Sequence, residues 1–180
     1  MTIKTPITIT QRWIQTVVID LNLCPFARRE VVRKSIDYRV YGGSDEEGIL
    51  SALRDTLILL DENADIETSF LILESAFPDF RDFNDFQDVT HGLLEMLDRV
   101  GTYQLVGFHP QYQFAGTAIN DAENYTNRSP YPMMHILRES SVGRVVASPA
   151  DAALITDQNI GTLNQLGATE IEARRQACFE

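Results

Sequence analysis

Between Ile36 and His109 the hydrophobic period of this 180-residue chain changes repeatedly, and that alternation limits the folds open to it. Residues 36–41, Ile-Asp-Tyr-Arg-Val-Tyr, alternate with the two-residue period of a strand. Gly42-Gly43-Ser44 interrupts them, and Ser44 or Asp45 can cap a helix running to about Asn63, with Ile49, Leu50, Leu53, Leu57 and Leu60 as its buried stripe. Residues 69–74 form a short apolar strand of the kind covered on both faces. A Phe- and Asp-rich segment then leads into a helix over roughly 83–100, with Phe83, Phe86, Val89, Leu93, Leu97 and Val100 along one side and Gly101 as its C-terminal cap. Residues 103–108 make a further strand, which stops at His109-Pro110. Strands joined by helices of fifteen or more residues run parallel, through right-handed crossovers. The expected fold is α/β: a small, mostly parallel sheet of about three or more strands flanked by helices.

The flanks read as helical. Trp13, Ile14, Val17, Val18 and Leu21 give residues 10–23 an apolar stripe, with Trp13 in the core. Pro25 suits the first position of a second helix over 25–34, which leaves Cys24 near its cap. Ser148-Pro149 with Asp151 starts a helical tail, broken near Gly167. Neither an internal repeat nor an interdomain linker is evident, so residues 1–180 are read as one domain.

Charge and composition exclude several classes. The net charge is −11, and residues 41–100 carry fifteen acids against three Lys or Arg, so a broad basic face for nucleic acid is not expected. Apolar runs fall short of a membrane span, and the amino terminus lacks a signal-peptide core, which makes the cytoplasm the expected compartment. Cys24 and Cys178 lie near opposite ends of the chain and form no CxxC pair. Phosphate-cradling GxGxxG and GxxxxGK[ST] signatures are absent, as is the GxSxG elbow.

Candidate chemistry concentrates between Gly107 and Glu139. In an open α/β sheet, ligands bind beyond the carboxyl ends of the strands, and His109 sits at such an end. There it is either a general acid or base, or a histidine tied to loop backbone. The aperiodic run from Gln111 to Arg128, with Asn120, Asp121, Asn124 and Asn127, is long enough to be a binding loop, or else an ordered Ω-type loop. Ser129-Pro130 resembles a helix start, and on the helix it implies His135, Arg138 and Glu139 share a face, with Glu139 orienting His135. Arg28, Asn127, Arg128, Ser129 and Arg138 are the expected binders of a carboxylate or phosphate. Cys24 at a helix start is a nucleophile with a lowered pKa, or a small buried hydrophobe. His109, His135, Asp121 and Glu139 are also of types that could make a mixed nitrogen–oxygen metal site, though no spacing among them is diagnostic.

Three groups of residues also carry a resemblance: Asn22-Leu23-Cys24-Pro25-Phe26-Ala27, Gly107-Phe108-His109-Pro110, and Asn127-Arg128-Ser129-Pro130-Tyr131-Pro132 through His135-Ile136-Leu137-Arg138-Glu139. Together they resemble the uncharacterised bacterial domain-of-unknown-function family 1415 over nearly the whole chain. That resemblance implies a bacterial, cytoplasmic setting and carries over no catalytic residue. From the residues themselves, the expectation is an enzyme acting on a small anionic metabolite. Arg28, Arg128 and Arg138 would bind it, His109 or His135 would move protons, and Cys24 would serve as nucleophile. The alternatives are a non-catalytic ligand-binding or sensor module, or a metal-binding protein. Cofactor, reaction and oligomeric state are left open.

Overall fold

In the computed structural model, which describes residues 4–143 and 148–180, strands β1 (Ile36–Tyr41) and β2 (Thr68–Leu73) pair in parallel. They are joined by α3 (Glu46–Glu62), whose first turn is capped by Asp45 accepting from the Gly48 amide at 2.7 Å. Helix α4 (Phe80–Met96) leads into β3 (Tyr103–Phe108), as the change of period predicts. Its buried line is Phe83, Phe86, Thr90 and Leu94, whereas Val89 and Val100, expected inward, are exposed. The helix ends before Val100, with Asp98 in the left-handed region at φ 54°.

One element corrects the sequence reading. Residues Met133–Arg138 form strand β4, and no helix starts at Ser129-Pro130. Each proline disfavours helical backbone at the residue before it, so Ser129-Pro130-Tyr131-Pro132 enters an extended segment. The Ser129 hydroxyl donates to the Tyr131 carbonyl at 2.6 Å and caps nothing. Beyond it Met133, Met134 and Ile136 are all buried, so no polar alternation marks the strand. A short apolar run of this kind fits helix and strand equally. β4 inserts antiparallel between β2 and β3, giving a sheet in the order β1-β2-β4-β3. The sheet is therefore mixed, not mostly parallel. β1, β2 and β3 still point the same way, and their carboxyl ends share one edge.

Each face of the sheet has its own core. One carries Leu71, Leu73, Met134, Ile136 and Tyr103 under α3 and α4. The other carries Phe70, Ile72 and Met133, with Tyr38 and Phe108, against Ile9, Trp13, Ile14 and Val17. Those last four come from α1 (Pro6–Trp13) and the π-helix Ile14–Ile19 that continues it. The helical stretch begins earlier than its apolar stripe suggests, because Thr5 and Thr8 form a reciprocal capping box with Pro6 at the first position. Trp13 is buried as expected and meets Phe108 edge-on at 5.5 Å. Helix α2 (Ala27–Arg33) precedes β1, the four-residue α5 (Glu139–Val142) follows β4, and α6 (Pro149–Leu166) and α7 (Ala168–Ala177) break at Gly167.

Candidate functional site

The expected site residues divide between the two ends of the sheet. His109 lies at the carboxyl end of β3 and is buried. Its Nε2–H donates to the Phe77 carbonyl at 2.9 Å, and its Nδ1 accepts from the Gln111 amide at 3.0 Å. Both nitrogens are thus tied to backbone, and burial holds the imidazole below its ordinary pKa. The contact also braces Phe77, a non-glycine residue at φ 52° ahead of a proline.

Arg128 is buried close to His109. Its Nε donates to the Tyr112 carbonyl at 2.9 Å and its Nη2 to the Ile119 carbonyl at 2.6 Å, with the guanidinium 4.7 Å from the Tyr125 ring centre. Asn127 holds the Gly107 carbonyl at 3.0 Å, and the Asn124 carboxamide oxygen accepts from the Phe114 amide and the Thr117 hydroxyl. The long loop is therefore pinned by its own polar side chains.

Arg138 stands at the other end of the sheet, so His109, Arg128 and Arg138 do not line one pocket. Its Nη2 reaches the carbonyls of Leu60 (2.5 Å), Ile66 (3.1 Å) and Asn63 (3.2 Å), closing the C-terminus of α3. His135 lies on a strand with Arg138 on the opposite face, and the shared helical face with Glu139 does not exist. Glu139 starts α5 and is exposed.

Cys24 is half-buried. Among the described residues its thiol has no histidine partner, and burial pushes its pKa up against the opposing amides of Phe26 and Ala27. The lowered pKa expected of a helix start is reversed, because the seven-residue α2 offers too little to offset desolvation. Alkylation by iodoacetamide should accordingly be slower at pH 7 than for a free thiol, and its rate should still be climbing at pH 9; a plateau below pH 8 would contradict this. Arg28 is exposed and has no ion-pair partner among the described residues. Among those residues no group of three or more His, Cys, Asp or Glu is placed to hold a metal ion.

His135 is the expected residue with the most unusual surroundings. Phe70 lies directly across from it in the β2–β4 ladder and stacks on the ring, centroids 4.0 Å apart and planes 8° from parallel. Phe108 stands 6.2 Å away on the β3 side, and Tyr38 stacks on the far side of Phe70 at 5.9 Å. The Thr68 hydroxyl donates to the Ile136 carbonyl at 2.6 Å, which spends its single proton. The 2.7 Å contact between Thr68 Oγ1 and His135 Nε2 then requires the proton on Nε2. Nδ1 is left as a lone-pair acceptor with no partner among the described residues. Burial pushes the pKa down to about 3, so the ring is neutral at physiological pH, although the residue as a whole is not fully buried. Thr68, Phe70 and Tyr38 were not expected here. Recognising β4 as a strand would have found them, because it sets His135 opposite Phe70.

The chain can be placed among known proteins. A family model for proteins of unknown function, DUF1415, matches residues 5–173. The chain belongs to that family. No curated protein and no solved structure matches this DUF1415 chain. Among the described residues no helix is long and apolar enough to cross a membrane.

Proposed function

We propose that this DUF1415 protein is a non-catalytic binding module for a small, planar, uncharged molecule, held on the sheet face that carries His135. The observation behind the proposal is the fixed tautomer: Thr68 commits the Nε2 proton, so Nδ1 is a permanent acceptor on a partly exposed residue whose ring Phe70 already stacks. Such a site suits a ligand that offers one N–H or O–H and an aromatic face, since pockets of this type pair apolar walls with few polar groups. A catalytic reading has less support. An imidazole with a pKa near 3 is a poor proton shuttle at neutral pH, and the Cys24 thiol lacks an activating base. Of the three arginines expected to bind an anion, Arg28 is the one not engaged among the described residues, because Arg128 and Arg138 are spent on backbone carbonyls.

Thermal shifts with indole, phenol and benzamide, run beside benzoate and phenyl phosphate, test this reading. At about a hundred times Kd, binding should add about 2.7 kcal/mol, or roughly 5–10 °C in Tm for a chain this size. The neutral compounds should shift Tm in the wild type and not in His135→Phe, which keeps the stack and removes the acceptor. Shifts from the anions alone, preserved in His135→Phe and lost in Arg28→Ala, would overturn it.

A further inference from the structure

The outer edge of β3 carries a self-matching set of unpaired backbone groups. At the start of the β3–β4 ladder the Glu139 amide donates to the Thr102 carbonyl. Antiparallel alternation from that bond turns Gln104, Val106 and Phe108 toward β4 and Tyr103, Leu105 and Gly107 outward. Two of the outward groups are capped. The Tyr103 amide donates to the Arg99 carbonyl at 3.1 Å, and the Gly107 carbonyl accepts from Asn127 at 3.0 Å. Four have no partner among the described residues: the Tyr103 carbonyl, the Leu105 amide and carbonyl, and the Gly107 amide.

We infer that this edge pairs with the same edge of a second copy, antiparallel and centred on Leu105. In that register the two Leu105 residues exchange both hydrogen bonds, and each Gly107 amide meets the other copy's Tyr103 carbonyl. Every free group then finds a free partner, and the Tyr103 amide and the other copy's Gly107 carbonyl exchange their present caps, the Arg99 carbonyl and the Asn127 carboxamide, for each other.

Charge argues for a second copy over an unrelated strand. No Asp, Glu, Lys or Arg occurs from Val100 to Asn120 in a chain of net charge −11, so β3 itself brings no charge against a second copy of the same strand. The other edge strand, β1, carries Asp37 and Arg39 as an ion pair at 3.0 Å. Charge of that kind protects an edge, and β3 has neither charge nor proline. Beside β3 a cavity of ≈ 150 Å³, lined by Leu94, Leu105 and Met134 together with Gln87, Gln104 and Glu139, leaves room for side chains from the second copy.

Sedimentation velocity across a concentration series tests the pairing, with hydrogen exchange at the Leu105 and Gly107 amides as its site-specific readout. The expected result is a species of twice the 20.3 kDa chain mass, with both amides at least tenfold better protected in the dimer than at dilutions that favour monomer. Leu105→Pro removes an outward donor without touching the β4 ladder, and Gln104→Lys sets two like charges near the symmetry axis. Each should shift the equilibrium to monomer; Gln104→Lys changes an exposed side chain and guards against a folding defect in the proline variant. A chain that stays monomeric at every concentration overturns the inference. So does a dimer that both variants leave intact, or one in which the two amides exchange as freely as in the monomer.

Discussion

Lowering the pH from 6.5 toward 4.5 should remove about 2 kcal/mol of folding stability, and His135→Phe should abolish most of that loss. The sign follows from proton binding. His135 falls from an ordinary 6.5 to about 3 in the fold, so between those values the unfolded chain takes up a proton that the native chain refuses. Stability is complete above the unfolded pKa and declines as the pH drops through the window. Each unit of difference is worth about 1.4 kcal/mol, reduced here because the residue is not fully buried. His109 is shifted the same way by burial and adds to the slope. Glu30 and Glu172 are lowered from 4.5, mainly by hydrogen bonds and nearby arginines that outweigh desolvation, so their contribution is lost only below that value. Urea denaturation at pH 7, 6, 5 and 4.5 separates the two windows. His135→Phe should cost about 1 kcal/mol at pH 7 for the lost Thr68 bond, and its stability should then fall toward pH 5 only with the residual slope that His109 sustains. A wild type that is flat over the same range, with a His135 ring titrating near 6.5 by NMR, would refute the buried neutral assignment.

How far the sequence foretold the molecule can be judged at particular residues. The bounds of β1 and β3 were legible because Gly42-Gly43 and His109-Pro110 punctuate them, and Asp45 announces α3 through a short-range cap. β4 was hidden for two physical reasons. It is a central strand and lacks polar alternation, and its residues happen to space His135, Arg138 and Glu139 as a helix would. That single misreading carried the candidate site with it. It joined His135 to Glu139, and it sent Arg138 to a ligand when the guanidinium in fact closes the end of α3, 72–78 residues away in sequence. Arginine at a bend announces a need for several acceptors, and nothing in one chain tells a ligand's oxygens from backbone carbonyls. His109 shows the same degeneracy: a histidine at a strand end reads as catalytic until both nitrogens are found on backbone partners.

Arg128→Ala should destabilise the protein by about 3–5 kcal/mol and release the loop between Gln111 and Asp121 well before global unfolding. The guanidinium is the common anchor of two loop carbonyls, at Tyr112 and Ile119, and it lies over Tyr125. Truncation leaves two part-buried carbonyls without their donor, at about 1–3 kcal/mol each, and forfeits a cation–π contact worth about 1–2 kcal/mol. Water reaching the loop from its exposed outer side keeps the total below the sum of the upper values. Lysine cannot replace the fork, because one ammonium on a flexible stem does not span two carbonyls approached from different sides, so Arg128→Lys should recover less than half of the loss. Limited proteolysis distinguishes the loop from the whole. Cleavage between residues 111 and 121 should rise at least tenfold in Arg128→Ala at a denaturant concentration where the core amides of β2 remain protected from exchange. Equal protection of loop and core in the variant would mean that Asn124, through Phe114 and Thr117, suffices to hold the segment. Arg128 would then be free for another purpose, and the anion-binding role expected from its position before Ser129-Pro130 would regain its case.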